Sequence, residues 1–110
     1  MEEICFLVQG SAEKPYKVTF RKNGKNLSAY CTCPAGENGQ YCKHRINILC
    51  GITHGIVSEN EAKVEVVNLW LQGTDVQVAL ADVIAAEKKY EKAKLELSGA
   101  KNRLARAFRD

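Results

Sequence analysis

Long apolar stretches are what this 110-residue chain most clearly lacks: nowhere does it approach the roughly 18 consecutive apolar residues that a membrane-spanning helix needs. No export is expected either. "MEEICFLVQGS" opens with acidic residues where a leader would be basic, and its apolar run, Ile4 to Val8, stops at Gln9. Nor does charge of one sign dominate, since 16 Lys+Arg stand against 13 Asp+Glu for a net +3. Such a balance permits contact with nucleic acid without demanding it. Finally, the five cysteines, Cys5, Cys31, Cys33, Cys42 and Cys50, are an odd number, and three of them crowd together, which argues against a disulfide framework and for a reducing compartment. A cytoplasmic location is expected.

What is present is the composition of a folded protein, with 45% apolar and 26% charged residues. A chain this long can bury about two thirds of its unfolded surface around one modest core. "ICFLVQ", "YKVTFRK" and "LSAYCT", at residues 4–9, 16–22 and 27–32, are rich in aromatic and β-branched residues and read as three strands. Asn23-Gly24 predicts a tight hairpin turn between the second and third. "CPAGENGQ" then breaks regular structure, and "CKHRINILCGI" carries Ile46, Leu49 and, less regularly, Ile48 and Ile52 on a helical face. After the loop "THGIV", Ser58 with Glu61 matches a capping box, predicting a short helix from about Glu59 that shows Val64, Val67, Trp70 and Leu71 and ends before Gly73. Thr74 with Gln77 is a second such box. From there only Gly99 interrupts a helix of about 34 residues, about 50 Å long. Along it Ala79, Val83, Ala86, Tyr90, Ala93, Leu97, Ala100, Leu104 and Ala107 recur at alternating steps of four and three, the spacing of a helix-pairing seam.

The densest chemistry lies in "YCTCPAGENGQYCKH", Tyr30 to His44. A structural zinc site takes four thiolate or imidazole ligands in a tetrahedron, and Cys31 with Cys33 and Cys42 with His44 form two close pairs. The eight residues between them, Pro34 to Tyr41, contain the glycines and proline of a loop that closes at little entropic cost. Three thiolates and an imidazole favour zinc over magnesium or calcium, which prefer oxygen. Four ligands also fill the tetrahedron, leaving no open position for a metal-assisted reaction, and Glu37 is the only carboxylate within the loop, so no enzyme is expected. Cys50 and His54 lie beyond the set. Cys50 reads as a small core residue on its helix, His54 as a surface or capping residue, and Cys5 as a core residue of its strand.

Cys-x-Cys, eight residues and Cys-x-His, with strands before and a helix after, resembles the SWIM zinc finger over about residues 16–53. Cys31-Thr32-Cys33-Pro34 and Cys42-Lys43-His44 match its two halves, including the proline after the second cysteine. The resemblance implies that Cys31, Cys33, Cys42 and His44 hold one structural zinc ion. The helicase, transposase and ligase regions that accompany the module elsewhere have no counterpart in this sequence, so their functions are not implied.

The expected fold is α+β: a small antiparallel sheet with a zinc-bound ββα finger, then a short helix and a long C-terminal helix capable of coiled-coil pairing. Residues 1–57 would form the finger domain and 58–110 a helical region. The first of these holds seven basic residues against four acidic ones, the second nine against nine. That excess suggests a non-catalytic adaptor whose finger contacts DNA or RNA through Lys17, Arg21, Lys22, Lys25, Lys43 and Arg45. The alternative is a protein-interaction module in which zinc only stabilises the fold. There residues 75–109 would bind a protein partner or a second copy.

Overall fold

The computed structural model describes residues 1–109. Three strands, β1 (Glu2–Val8), β2 (Tyr16–Asn23) and β3 (Asn26–Cys31), form an antiparallel sheet in sequence order. Four helices follow: α1 (Pro34–Glu37), α2 (Lys43–Leu49), α3 (Val64–Leu71) and α4 (Asp75–Ala107). The chain divides into two compact units, Met1–Gln77 and Val78–Asp110. The α+β expectation, with its three-stranded sheet and long terminal helix, is what the structure shows.

Within the first unit, alternation puts Phe6 and Val8 of β1 and Val18 and Phe20 of β2 on one buried face. Phe6 and Phe20 meet edge to face, with ring centres 6.0 Å apart. Ile48 and Leu49 of α2 and Val64, Val67 and Leu71 of α3 are buried as well, α2 packing against both α3 and β3. α2 stops at Leu49, and Ile52, expected on its apolar face, is exposed. Cys50 is likewise exposed at the end of α2 rather than in the core. Cys5 is half-buried, its thiol 3.4 Å from the Thr19 hydroxyl.

Two local expectations are corrected. Asn23 pairs with Asn26, so the hairpin turns on Gly24-Lys25 rather than Asn23-Gly24. Gly24 takes a φ of +60°, and Lys25 is not left-handed, which is the demand of a turn with glycine at its first central position. Ser58 does not cap a helix at Glu59, which itself adopts a φ of +62°. The Ser58 hydroxyl instead accepts a bond from the Leu7 amide at 3.1 Å, and Asn60 Nδ2 donates to the Cys5 carbonyl at 2.8 Å. With the bonds Gln9 N to Gly55 O and Val57 N to Leu7 O, each 2.8 Å, residues 55–60 cover the outer edge of β1. An unpaired strand edge is a liability, and satisfying it outweighed the local capping preference. A single 3₁₀ turn, Glu61–Lys63, then leads into α3.

The second box behaves as expected in part. The Gln77 amide donates to Thr74 Oγ1 at 3.2 Å, while the Gln77 side chain reaches back to the Gly73 amide at 2.9 Å. α4 starts at Asp75 and runs for 33 residues. From Ile84 to Phe108 every residue but the half-buried Gly99 is exposed. Among the described residues no helix is long and apolar enough to cross a membrane.

Candidate metal centre

β3 delivers the first ligand pair. Cys31 ends the strand, and Thr32 prolongs the ladder: its amide donates to the Lys17 carbonyl at 3.1 Å, and its hydroxyl accepts from the Lys17 amide at 2.9 Å. The residue between the two cysteines is thereby fixed to β2, which turns Cys31 and Cys33 toward one side. Cys33 then caps α1, its sulfur accepting the Gly36 amide at 3.3 Å. The "CPAGENGQ" segment is thus one helical turn and a loop rather than loop throughout. Gly36 is required by proximity, since a Cβ there would stand 2.5 Å from the Cys31 carbonyl oxygen. At the far side Cys42 precedes α2, and His44 sits in its first turn.

These elements bring four donor atoms together. Cys33 Sγ lies 3.4 Å from Cys42 Sγ, and His44 Nδ1 lies 3.7 Å from Cys31 Sγ and 3.6 Å from Cys42 Sγ. All four donors fall within 4.8 Å of one another. A tetrahedron with zinc–sulfur bonds of about 2.3 Å and zinc–nitrogen bonds of about 2.0 Å has edges of about 3.8 Å between sulfurs and about 3.5 Å from sulfur to nitrogen. The cluster therefore fits one zinc ion. The cysteines are buried and His44 half-buried. Tyr16 lies across the imidazole, ring centres 5.0 Å apart, and a Cβ on Gly10 would come within 3.2 Å of His44 Nε2.

The electrostatics ask for a cation. Burial drives the Cys31 thiol up to about 12 despite a hydrogen bond from the Cys33 amide, with neighbouring Cys33 and Cys42 adding to the rise. Burial works against the Cys42 thiolate too, but the Arg45 backbone amide and the side chains of Cys33, Cys31 and His44 outweigh it and lower Cys42 to about 6. Cys42 is thus held as a thiolate near neutrality, whereas Cys31 resists becoming a second thiolate beside it. Three require a compensating divalent charge.

Residues 6–46 match the family model of the SWIM zinc finger. Over these residues the chain is similar to the SWIM zinc finger. No curated protein and no solved structure matches the chain. The matched residues take in all four donors and the end of β1, whose Phe6 and Val8 belong to the buried core.

The nominated basic residues are not a uniform surface. Arg21 pairs with Glu3 at 2.6 Å and lies over the Tyr30 ring at 5.3 Å. Arg45 donates from its guanidinium to the carbonyls of Ala29, at 3.1 Å, and Gln40, tying the end of the ligand loop to β3. Lys17, Lys25 and Lys43 are exposed, and Lys22 is half-buried. Sequence reasoning missed the positioning roles of Thr32, Gly36 and Arg45. Of these only Gly36, a glycine directly after the Cys-Pro-Ala turn, carried a local signal.

Proposed function

We propose that this chain is a non-catalytic, intracellular adaptor in which the zinc finger is a scaffold and α4 is the element that engages a partner. The observation behind this reading is the exposure of the α4 seam: Tyr90, Leu97 and Leu104 are 63%, 55% and 56% exposed at the spacing that would bury them against another helix. The finger's thiolates and imidazole are all committed to the fold, which leaves no nucleophile or open metal position for chemistry there. Affinity capture from nuclease-treated lysate tests the reading. Capture should survive nuclease and disappear with Leu97→Glu/Leu104→Glu. Capture indifferent to that double variant refutes it.

Contact between the finger and nucleic acid is a second reading, supported by Lys17, Lys25 and Lys43, exposed and without an acidic partner among the described residues. Because Arg21 and Arg45 are engaged within the fold, the surface it would use is smaller than the full basic set. Binding through it would weaken steeply with salt.

A further inference from the structure

The seam of α4 and the charges beside it point to one occupant. The alternation of alanine with Val83, Tyr90, Leu97 and Leu104 allows close approach of a second helix, the large residue of each layer covering an alanine opposite. By itself that stripe selects no partner. The flanks do. On one side of the seam stand Glu87, Lys94 and Lys101; on the other stand Asp82, Lys89, Glu96 and Arg103. The helix uses little of this charge internally: among the described residues its sole ion pair is Glu91 with Lys94, at a long 4.0 Å.

We infer that α4 pairs with α4 of a second copy, antiparallel, with Tyr90 level with Ala93 of the other chain. This rests on the reading of α4 as the interaction element and names its partner. In antiparallel helices each flank meets the same flank of its neighbour. In this register Glu87 meets Lys94, Asp82 meets Arg103 and Lys89 meets Glu96 across the interface. The two-fold axis repeats every pair. The same register stacks Val83 on Ala100, Leu97 on Ala86 and Leu104 on Ala79, so the overlap runs from Ala79 to Leu104, about 39 Å of helix.

The neighbouring arrangements are penalised by charge. Sliding one heptad toward the C-termini sets Lys94 against Lys94, Glu96 against Glu96 and Lys89 against Arg103, with only Glu87 and Lys101 attracting. Sliding the other way sets Glu87 against Glu87, Lys89 against Lys89 and Asp82 against Glu96. A parallel pair would oppose Asp82 to Glu87 and Lys89 to Lys94, two repelling contacts against one attracting contact, Glu96 with Lys101. Flanking charges choose orientation and register in helix pairs because like charges repel across a short gap.

Multi-angle light scattering and sedimentation equilibrium on the zinc-loaded full chain test this. The expected mass is twice the 12.2 kDa of one chain. Glu87→Lys and Lys94→Glu should each weaken the dimer by about tenfold, two exposed pairs being inverted in each case. The double variant Glu87→Lys/Lys94→Glu should restore parental affinity, with zinc content and helicity unchanged throughout. In a parallel dimer either single change would turn a repelling pair into an attracting one, so tightening overturns the inference. So does a monomer at every concentration, or a double variant that stays as weak as the singles. A monomer whose partner capture is still abolished by Leu97→Glu/Leu104→Glu would overturn the dimer while leaving α4 as the interaction element.

Discussion

Replacing Cys33 separates two duties that this residue performs at once. Its sulfur faces Cys42 Sγ at 3.4 Å as a metal ligand and also accepts the Gly36 amide as the cap of α1. Serine keeps a capping oxygen but is a poor zinc ligand, whereas alanine loses both functions. Structural zinc contributes folding free energy on the order of 10 kcal/mol, so one ligand of four carries about 2.5 kcal/mol, close to a hundredfold in zinc affinity. The 77 residues of the unit Met1–Gln77 would have a total stability of about 4–12 kcal/mol by general scaling. Cys33→Ser should therefore leave the finger marginal with zinc and unfolded with chelator. Cys33→Ala should lie about 1 kcal/mol lower still. Trp70, the only tryptophan and half-buried in α3, provides the fluorescence reporter for melts and for zinc titration against a competing chelator. A Cys33→Ser protein that keeps its zinc against the chelator and melts with the parent would show that this sulfur is not a ligand.

The site makes two further demands. Gly36→Ala forces a Cβ to within 2.5 Å of the Cys31 carbonyl and 2.7 Å of Cys31 Cβ, and should lower zinc affinity by on the order of tenfold; Gly39→Ala, at a φ of +69° but in open space, should cost about 1 kcal/mol of stability and leave zinc affinity alone. Equal losses of affinity in the two would refute the crowding argument. For pH, a thiol held at about 12 is protonated near neutrality, so zinc must displace at least the Cys31 proton, and apparent affinity should rise at least tenfold per pH unit between pH 6.5 and 8.5. Below about pH 6 Cys42 takes up its proton as well, and the fall should steepen by another factor of ten per unit. Competitive titrations across that range check the slope, and a pH-independent affinity would mean that zinc meets thiolates already formed.

The sequence made legible what depends on neighbours in the chain. Strand alternation at Val18 and Phe20, the breaking residues after Cys33 and the paired spacing of the ligands are local signals, and the sheet, the ligand loop and the clustered donors follow them. Interactions across long separations were not visible. Ser58 and Asn60 looked like the start of a helix because their partners, Leu7 and Cys5, lie some fifty residues earlier on an edge strand that needed covering. Arg21 and Arg45 looked like free positive charge, yet one answers Glu3 on the adjacent strand and the other the carbonyls of Ala29 and Gln40. Periodicity placed Cys50 inside because it extended α2 by a turn that the structure ends at Leu49.

The reach of the zinc site beyond its ligands follows from the length of α2. Seven residues are too few for an isolated helix, which needs about 12 even with favourable sequence, so α2 must be held from outside. Its start is held by Cys42 and His44 through the donor cluster and by the Arg45 guanidinium on β3. Its end is held by α3: Asn68 Nδ2 donates to the carbonyls of Ile48 and Leu49, at 3.2 and 2.9 Å, groups a helix end leaves without internal partners. α3 in turn buries Val64, Val67 and Leu71 in the core to which α2 adds Ile48 and Leu49. Removing zinc releases the start of α2, and with α2 goes the surface on which α3 packs. Trp70 should then report chelation although it follows the last ligand by 26 residues, and loss of its signal should coincide with loss of the sheet rather than precede it.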